Sequence, residues 1–209
     1  MKQGSLFDQL FALCAGLDIP LFLRSCWCTV PMTDEATAMT TTDERRVTYR
    51  WIAAGLTSAS LANIAAWFFW PPLPPIAEPI DRLVLAVQCA AGIGIVALIM
   101  MQGLWRLPDT PQAEDPFANA ESRAWKINQR VYTNTLEQAL IFVPIYLALS
   151  IRMPPDQARM LPAMMTIWCA GRLLFWVGYR HSLNARAIGM DWTTVTAMLA
   201  AGWLVLTFF

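Results

Sequence analysis

The chain has 209 residues, 56% hydrophobic and 14% charged, and its mean hydropathy is positive. Soluble domains carry about 25% charged residues, so this balance argues against a soluble enzyme and for an integral membrane protein. Fifteen Lys and Arg offset fifteen Asp and Glu, which leaves no excess positive charge to bind a nucleic acid.

Residues 1–46 read as a poorly ordered or surface-lying segment. Its apolar run is broken by Asp8, Asp18 and Pro20 and lacks a clear basic start, so it matches a signal peptide only weakly. Met32 reads as an alternative start. Residues 47–80 hold a first uncharged apolar stretch, 51–70, and then the proline-dense turn "PPLPPIAEP". Residues 81–209 form a second domain with four further stretches. These are 83–105 and 192–209, both uncharged, 131–151 with only Glu137, and 160–179 with only Arg172. A helix needs about 20 apolar residues to cross the hydrocarbon core. The expected fold is therefore all-α: a polytopic membrane protein whose four-helix bundle follows one additional N-terminal transmembrane helix, five spans in all. The expected connections are a long polar loop at 106–129, a tight turn at 152–159 and a short basic loop at 180–191.

Positive charge sets the orientation. With the N-terminus inside, Arg45, Arg46, Arg50, Arg106, Arg123, Lys126, Arg130, Arg180 and Arg186 face the cytoplasm, against Arg82, Arg152 and Arg159 outside. The N-terminus is then cytoplasmic and the C-terminus outside.

The intramembrane charges carry the functional signal. Arg130, Asn134 and Glu137 lie at i, i+4 and i+7 and share one helix face. Arg172, Tyr179 and Arg186 are spaced by sevens and share a second face if that helix continues past Tyr179. Glu137 lies about 9 Å below the cytoplasmic surface and Arg172 roughly 10 Å below it, at 1.5 Å per residue. Equal depth on antiparallel helices predicts that the two pair. Each charge alone would cost about 2.5–3.5 kcal/mol on insertion scales. A simple glue between two helices would not need the other four polar groups. The surplus of arginine suits an anionic, polar guest with several carboxylates.

Other features read as structural. Trp51, Trp67, Trp70, Trp105 and Trp192 form an interfacial belt. Met160, Met164 and Met165 read as packing. Gly92 and Gly94, with Ala90 and Ala91, allow a neighbouring helix to approach closely. His181 is the one histidine and Cys26/Cys28 an isolated C-x-C, so no metal site is expected.

"RVYTNTLE" at 130–137, followed one span later by "GRLLFWVGYRHSLNAR" at 171–186, resembles the MAPEG superfamily, membrane-associated proteins in eicosanoid and glutathione metabolism. The resemblance covers about residues 83–209 and suggests a bacterial-type member with an extra helix, placed in the inner membrane. It implies a homotrimer with glutathione bound between subunits near the cytoplasmic face. Arg130, Asn134 and Glu137 would hold the polar ends of glutathione, with Arg172 and Tyr179. Arg186 would be the catalytic residue that stabilises the thiolate. Phe175 and Gln138 stand where tyrosines occur in the leukotriene C4 synthase branch. The implied activity is that of a glutathione-dependent transferase or peroxidase acting on a lipophilic electrophile or hydroperoxide, with no metal. The alternative is a non-catalytic protein of the same fold that binds a lipid or a partner. A small transporter ranks behind both, since no inverted repeat is visible.

Overall fold

The computed structural model describes residues 41–104, 115, 120–182 and 184–209, and for 41–44 the backbone alone. The chain divides at Thr41/Thr42, and the unit described below is the second, Thr42–Phe209. The expectations for residues 1–40, including Met32 and the C-x-C, lie outside the described residues, as does Trp105.

Among the described residues five long helices follow one another: α1 Thr41–Phe69, α2 Pro79–Gln102, α3 Arg123–Arg152, α4 Met160–His181 and α5 Arg186–Leu206, with a 3₁₀ turn at Pro155–Gln157. No strand occurs among the described residues. Helices α1 to α4 are long and apolar enough to cross a membrane. Helix α5 has 21 residues, about 31 Å at 1.5 Å per residue, but its first half carries Arg186, Asp191, Thr193, Thr194 and Thr196.

Local chemistry explains the boundaries. Helix α2 opens with Pro79 at its start and Asp81 in the first turn, where a missing N–H costs nothing and a negative charge suits the helix dipole. Ser122 caps α3 by accepting from the Trp125 backbone N–H at 3.1 Å, so helix begins eight residues before the apolar run. The loop expected at 106–129 is shorter for that reason. Helix α3 continues through Pro144 and stops before Pro154 and Pro155, since a residue preceding proline is pushed out of the helical region. Helix α1 begins inside the stretch expected to be poorly ordered.

Helix α2 packs on α3 and α4, α5 packs on α3 and α4, and α3 meets α4 between them. One core lies toward the α3–α4 turn, where Phe142 stacks on Trp168 with centroids 5.5 Å apart and Tyr146 donates to the Leu161 carbonyl at 2.9 Å. The three methionines of α4 are buried in it, as packing predicts. A second cluster, Val96, Met100, Val131, Phe175 and Tyr179, lies toward the other end. Gly92 approaches Cys169 of α4, as expected, whereas Gly94 faces open space.

Glycines bring α4 and α5 together. A Cβ on Gly171 would lie 2.9 Å from the Trp192 Cβ and 3.2 Å from the Gly189 carbonyl. A Cβ on Gly189 would strike the Phe175 backbone, and one on Gly178 would lie 2.7 Å from the Ala185 carbonyl. Close backbone approach of this kind is what small residues provide between membrane helices.

Helix α1 lies parallel to α5. Thr48 donates to Asn184 at 3.3 Å, Trp192 donates to Ser58 at 3.0 Å, and Asn63 donates to Thr196 at 3.2 Å. Trp67 meets Trp203 with centroids 5.6 Å apart. Between the first two contacts Gly55 lies directly against the Asp191 carboxyl group, whose Oδ2 is buried with no hydrogen-bond partner among the described residues. The buried stripe of α1 is Gly55, Ala59, Asn63 and Ala66, spaced as one helix face.

At the opposite end Arg82, 5% exposed, ties three segments together. Its Nε and Nη2 donate to the Ser150 and Ile151 carbonyls at 3.2 and 3.1 Å, and its Nη1 donates to Ile76 and Ala77, each at 2.7 Å. These bonds satisfy carbonyls at the C-terminus of α3, which have no partner within the helix.

Candidate functional site

Arg172 is the most deeply buried charge among the described residues, with 0% of its surface exposed. Its Nη1 donates to the Asn134 Oδ1 at 3.2 Å. Its guanidinium carbon lies 4.4 Å from the centroid of Phe175 and 5.9 Å from that of Trp168. Cation–π attraction of this kind grows when both partners are out of water. Nε and Nη2 of Arg172 and Nε1 of Trp168 are buried donors with no hydrogen-bond partner among the described residues. Such donors cost free energy until an acceptor reaches them.

The expected pairing of Glu137 with Arg172 does not form. Glu137 is exposed on the surface of the single chain and makes no ion pair with Arg172 among the described residues. Helices α3 and α4 meet where Arg172 touches Asn134, and the rotation of α3 about its axis turns Asn134 toward Arg172 and Glu137 away. Arg130, also expected on the site face, is exposed.

The stripe Arg172–Tyr179–Arg186 is also corrected. Helix α4 ends at His181, and Ser182 accepts from the Ala185 N–H at 3.0 Å within a short turn. Arg186 therefore opens α5, and residues 186–191 are helical where a loop was expected. The chain folds back so that the Arg186 guanidinium carbon lies 5.0 Å from the Tyr179 ring centroid. Tyr179 itself is buried against Phe175 in the α2-facing cluster.

The six expected residues thus form three groups in one chain. Arg172 joins Asn134 between α4 and α3, Arg186 joins Tyr179 at the α4–α5 turn, and Arg130 and Glu137 lie on the exposed side of α3. No cluster of His, Cys, Asp or Glu suited to a metal ion occurs among the described residues.

Three further residues join this end of the bundle and escaped the sequence reading. Asn128 is 6% exposed. Its Oδ1 accepts from the Trp176 Nε1 at 2.8 Å and from the Arg180 Nη2 at 3.2 Å. Its Nδ2 donates to the Gly103 carbonyl at 2.9 Å, beside the Trp125 Nε1 that donates to the Leu104 carbonyl at 3.0 Å. Arg172, Trp176 and Arg180 lie at i, i+4 and i+8, and all three donate to asparagines of α3. That spacing was the available signal.

An all-helical bundle with four apolar spans and buried arginines defines a polytopic integral membrane protein. The chain belongs to the MAPEG family, whose model matches residues 83–206. Helix α1 precedes the matched region. Comparison with curated proteins returned no match, and comparison with solved structures returned none.

Proposed function

We propose that the protein is a glutathione-dependent transferase or peroxidase that works on lipophilic substrates from within the bilayer. The observation that carries this reading is the buried Arg172, held by Asn134 and still presenting unpartnered donors. Arginine engages carboxylates with a rigid fork of donors, and a glutathione molecule brings two carboxylates and a thiol. In this reading Arg130, Asn134, Glu137, Arg172 and Tyr179 bind glutathione. The exposed placement of Arg130 and Glu137 in one chain suits a homotrimer in which they contribute to a site shared with a neighbouring copy. The positive-charge bias supports a site at the cytoplasmic face of a bacterial inner membrane.

The chemistry asks little of the protein. A free thiol has a pKa of about 8.5, so only a small fraction is thiolate at neutral pH. Arg186 beside the sulfur favours the anion. The thiolate then forms a bond to the electrophilic carbon, by addition or with departure of its leaving group. With a peroxide it attacks an oxygen so that the O–O bond breaks and the alcohol leaves, and the resulting sulfenic acid is reduced to disulfide by a second glutathione. Isothermal titration of glutathione into the purified chain, followed by ultraviolet detection of bound thiolate, tests the reading. Absence of binding at millimolar glutathione would reject it.

A second reading, a non-catalytic protein that binds a lipid or partner, draws on one observation. Phe175 fills the space beside Arg172 with a ring that carries no hydroxyl. Glutathione binding without turnover across a panel of electrophiles and hydroperoxides would favour it.

A further inference from the structure

Arg180 lies at the end of α4 beside Tyr179 and is exposed, yet its head group is fixed. Its Nη2 donates to the Asn128 Oδ1 at 3.2 Å, and its guanidinium carbon lies 4.8 Å from the Trp176 ring centroid. Asn128 is buried and spends its amide on the end of α2. A surface arginine serving only the charge asymmetry of the membrane needs no such fixing, because a mobile side chain meets that need equally well. Side-chain rotamer freedom is costly to lose. Here part of that loss has already been met in folding, so the remaining donors of Arg180 are oriented before any ligand arrives. Among the described residues those donors, on Nε and Nη1, have no hydrogen-bond partner.

We infer that Arg180 is a further anion-binding residue of the site, positioned by Asn128 and Trp176, and that it takes a carboxylate group of the bound thiol peptide. This rests on the glutathione reading above. It adds a recognition group on the α3-facing side of α4, apart from the Tyr179–Arg186 pair. Asn128 is a positioning residue: it touches no ligand and acts through Arg180.

The test compares glutathione with its diethyl ester, which keeps the thiol and peptide but lacks both carboxylates. Binding to the purified full chain is measured by titration calorimetry in a zwitterionic detergent. Arg180→Gln should weaken glutathione about tenfold, the worth of one charge-assisted hydrogen bond, and leave diethyl ester binding unchanged. Asn128→Ala should show a smaller loss with the same dependence on the carboxylates, and Arg180→Lys should recover part of the affinity. Equal losses for glutathione and ester would mean a purely structural role and would overturn the inference. So would an unchanged glutathione affinity in Arg180→Gln. A phospholipid headgroup is the other source of the same anionic chemistry. Thermal stabilisation by anionic-lipid nanodiscs that disappears in Arg180→Gln, with glutathione affinity untouched, would assign Arg180 to the lipid instead. Wild-type protein that binds neither glutathione nor its ester rejects the parent reading and this inference with it, whereas wild-type binding with no carboxylate dependence in Arg180→Gln rejects this inference alone.

Discussion

Arg172 donates to Asn134 at 3.2 Å, and Glu137, one turn further along α3, faces away. Asn134→Ala should therefore destabilise the helical fold more than Glu137→Ala does. It removes the one hydrogen-bond acceptor that a buried guanidinium has among the described residues, a loss of about 1–3 kcal/mol. Thermal melts of the helical signal in detergent decide the matter. A Glu137→Ala protein that melts below the Asn134→Ala protein would restore the carboxylate as the partner of Arg172.

The contact between α4 and α5 is set by glycine. Gly171→Ala and Gly189→Ala should each lower stability by about 1–3 kcal/mol, because a Cβ at either position meets backbone or a packed side chain. Gly94→Ala is the control. It faces open space, so alanine should be neutral or stabilise α2 by up to about 1 kcal/mol. Equal melting of all three variants would show that the helices can separate without cost.

Gly55 and Asp191 should be coupled. Gly55→Ala inserts a methyl group where the Asp191 carboxyl group lies, and it should loosen α1 from α5. In an Asp191→Ala background the same substitution should be tolerated. A double-mutant cycle on melting temperature should give a coupling of about 0.5–3 kcal/mol. Simple additivity would place the two residues apart.

Arg82 should not be replaceable by lysine. Its planar fork reaches four carbonyls on two segments, the end of α3 and the proline-rich turn, and an ammonium group has neither the spread nor the number of donors. Arg82→Lys should lower the melting temperature nearly as far as Arg82→Ala does.

Arg186→Ala separates enzyme from scaffold. It should keep the fold and much of the glutathione affinity, but lose the thiolate absorbance and most turnover, the pattern of lost transition-state stabilisation. Arg130→Ala should weaken binding first. Unchanged thiolate absorbance in Arg186→Ala would remove the assigned role.

The helices were legible because apolar runs of membrane length leave few alternatives. Their starts were less so. Residues 123–130 include five charged or amide side chains, yet they form the first turns of α3, because Trp125 and Asn128 reach back to the Leu104 and Gly103 carbonyls just past α2. Residues 186–191 look like a loop until Gly189 is seen against Gly171. That α3 and α4 meet through Asn134 and Arg172 was legible in the polar residues, whereas the rotation of α3 was not. Depth follows from counting at a fixed rise per residue, whereas the face a helix presents depends on which neighbour it packs against, and that contact is tertiary. Arg172 was therefore assigned Glu137 where the fold supplies Asn134. The seam of α1 was written as small and polar residues at 55, 59, 63 and 66, but nothing local named α5 as the helix it faces.

The parallel contact between α1 and α5 has a consequence for biosynthesis. Thr48 and its partner Asn184 are separated by 136 residues. At ribosomal speeds of about 5–20 residues per second, roughly 7–27 s pass between their syntheses. For most of that interval α1 is complete while α5, whose Thr196 accepts the hydrogen bond of Asn63, is not yet made. The first described helix to emerge is thus among the last to find its neighbour, and slowing elongation between α2 and α5 lengthens the time it waits exposed to lipid, insertion machinery and membrane proteases.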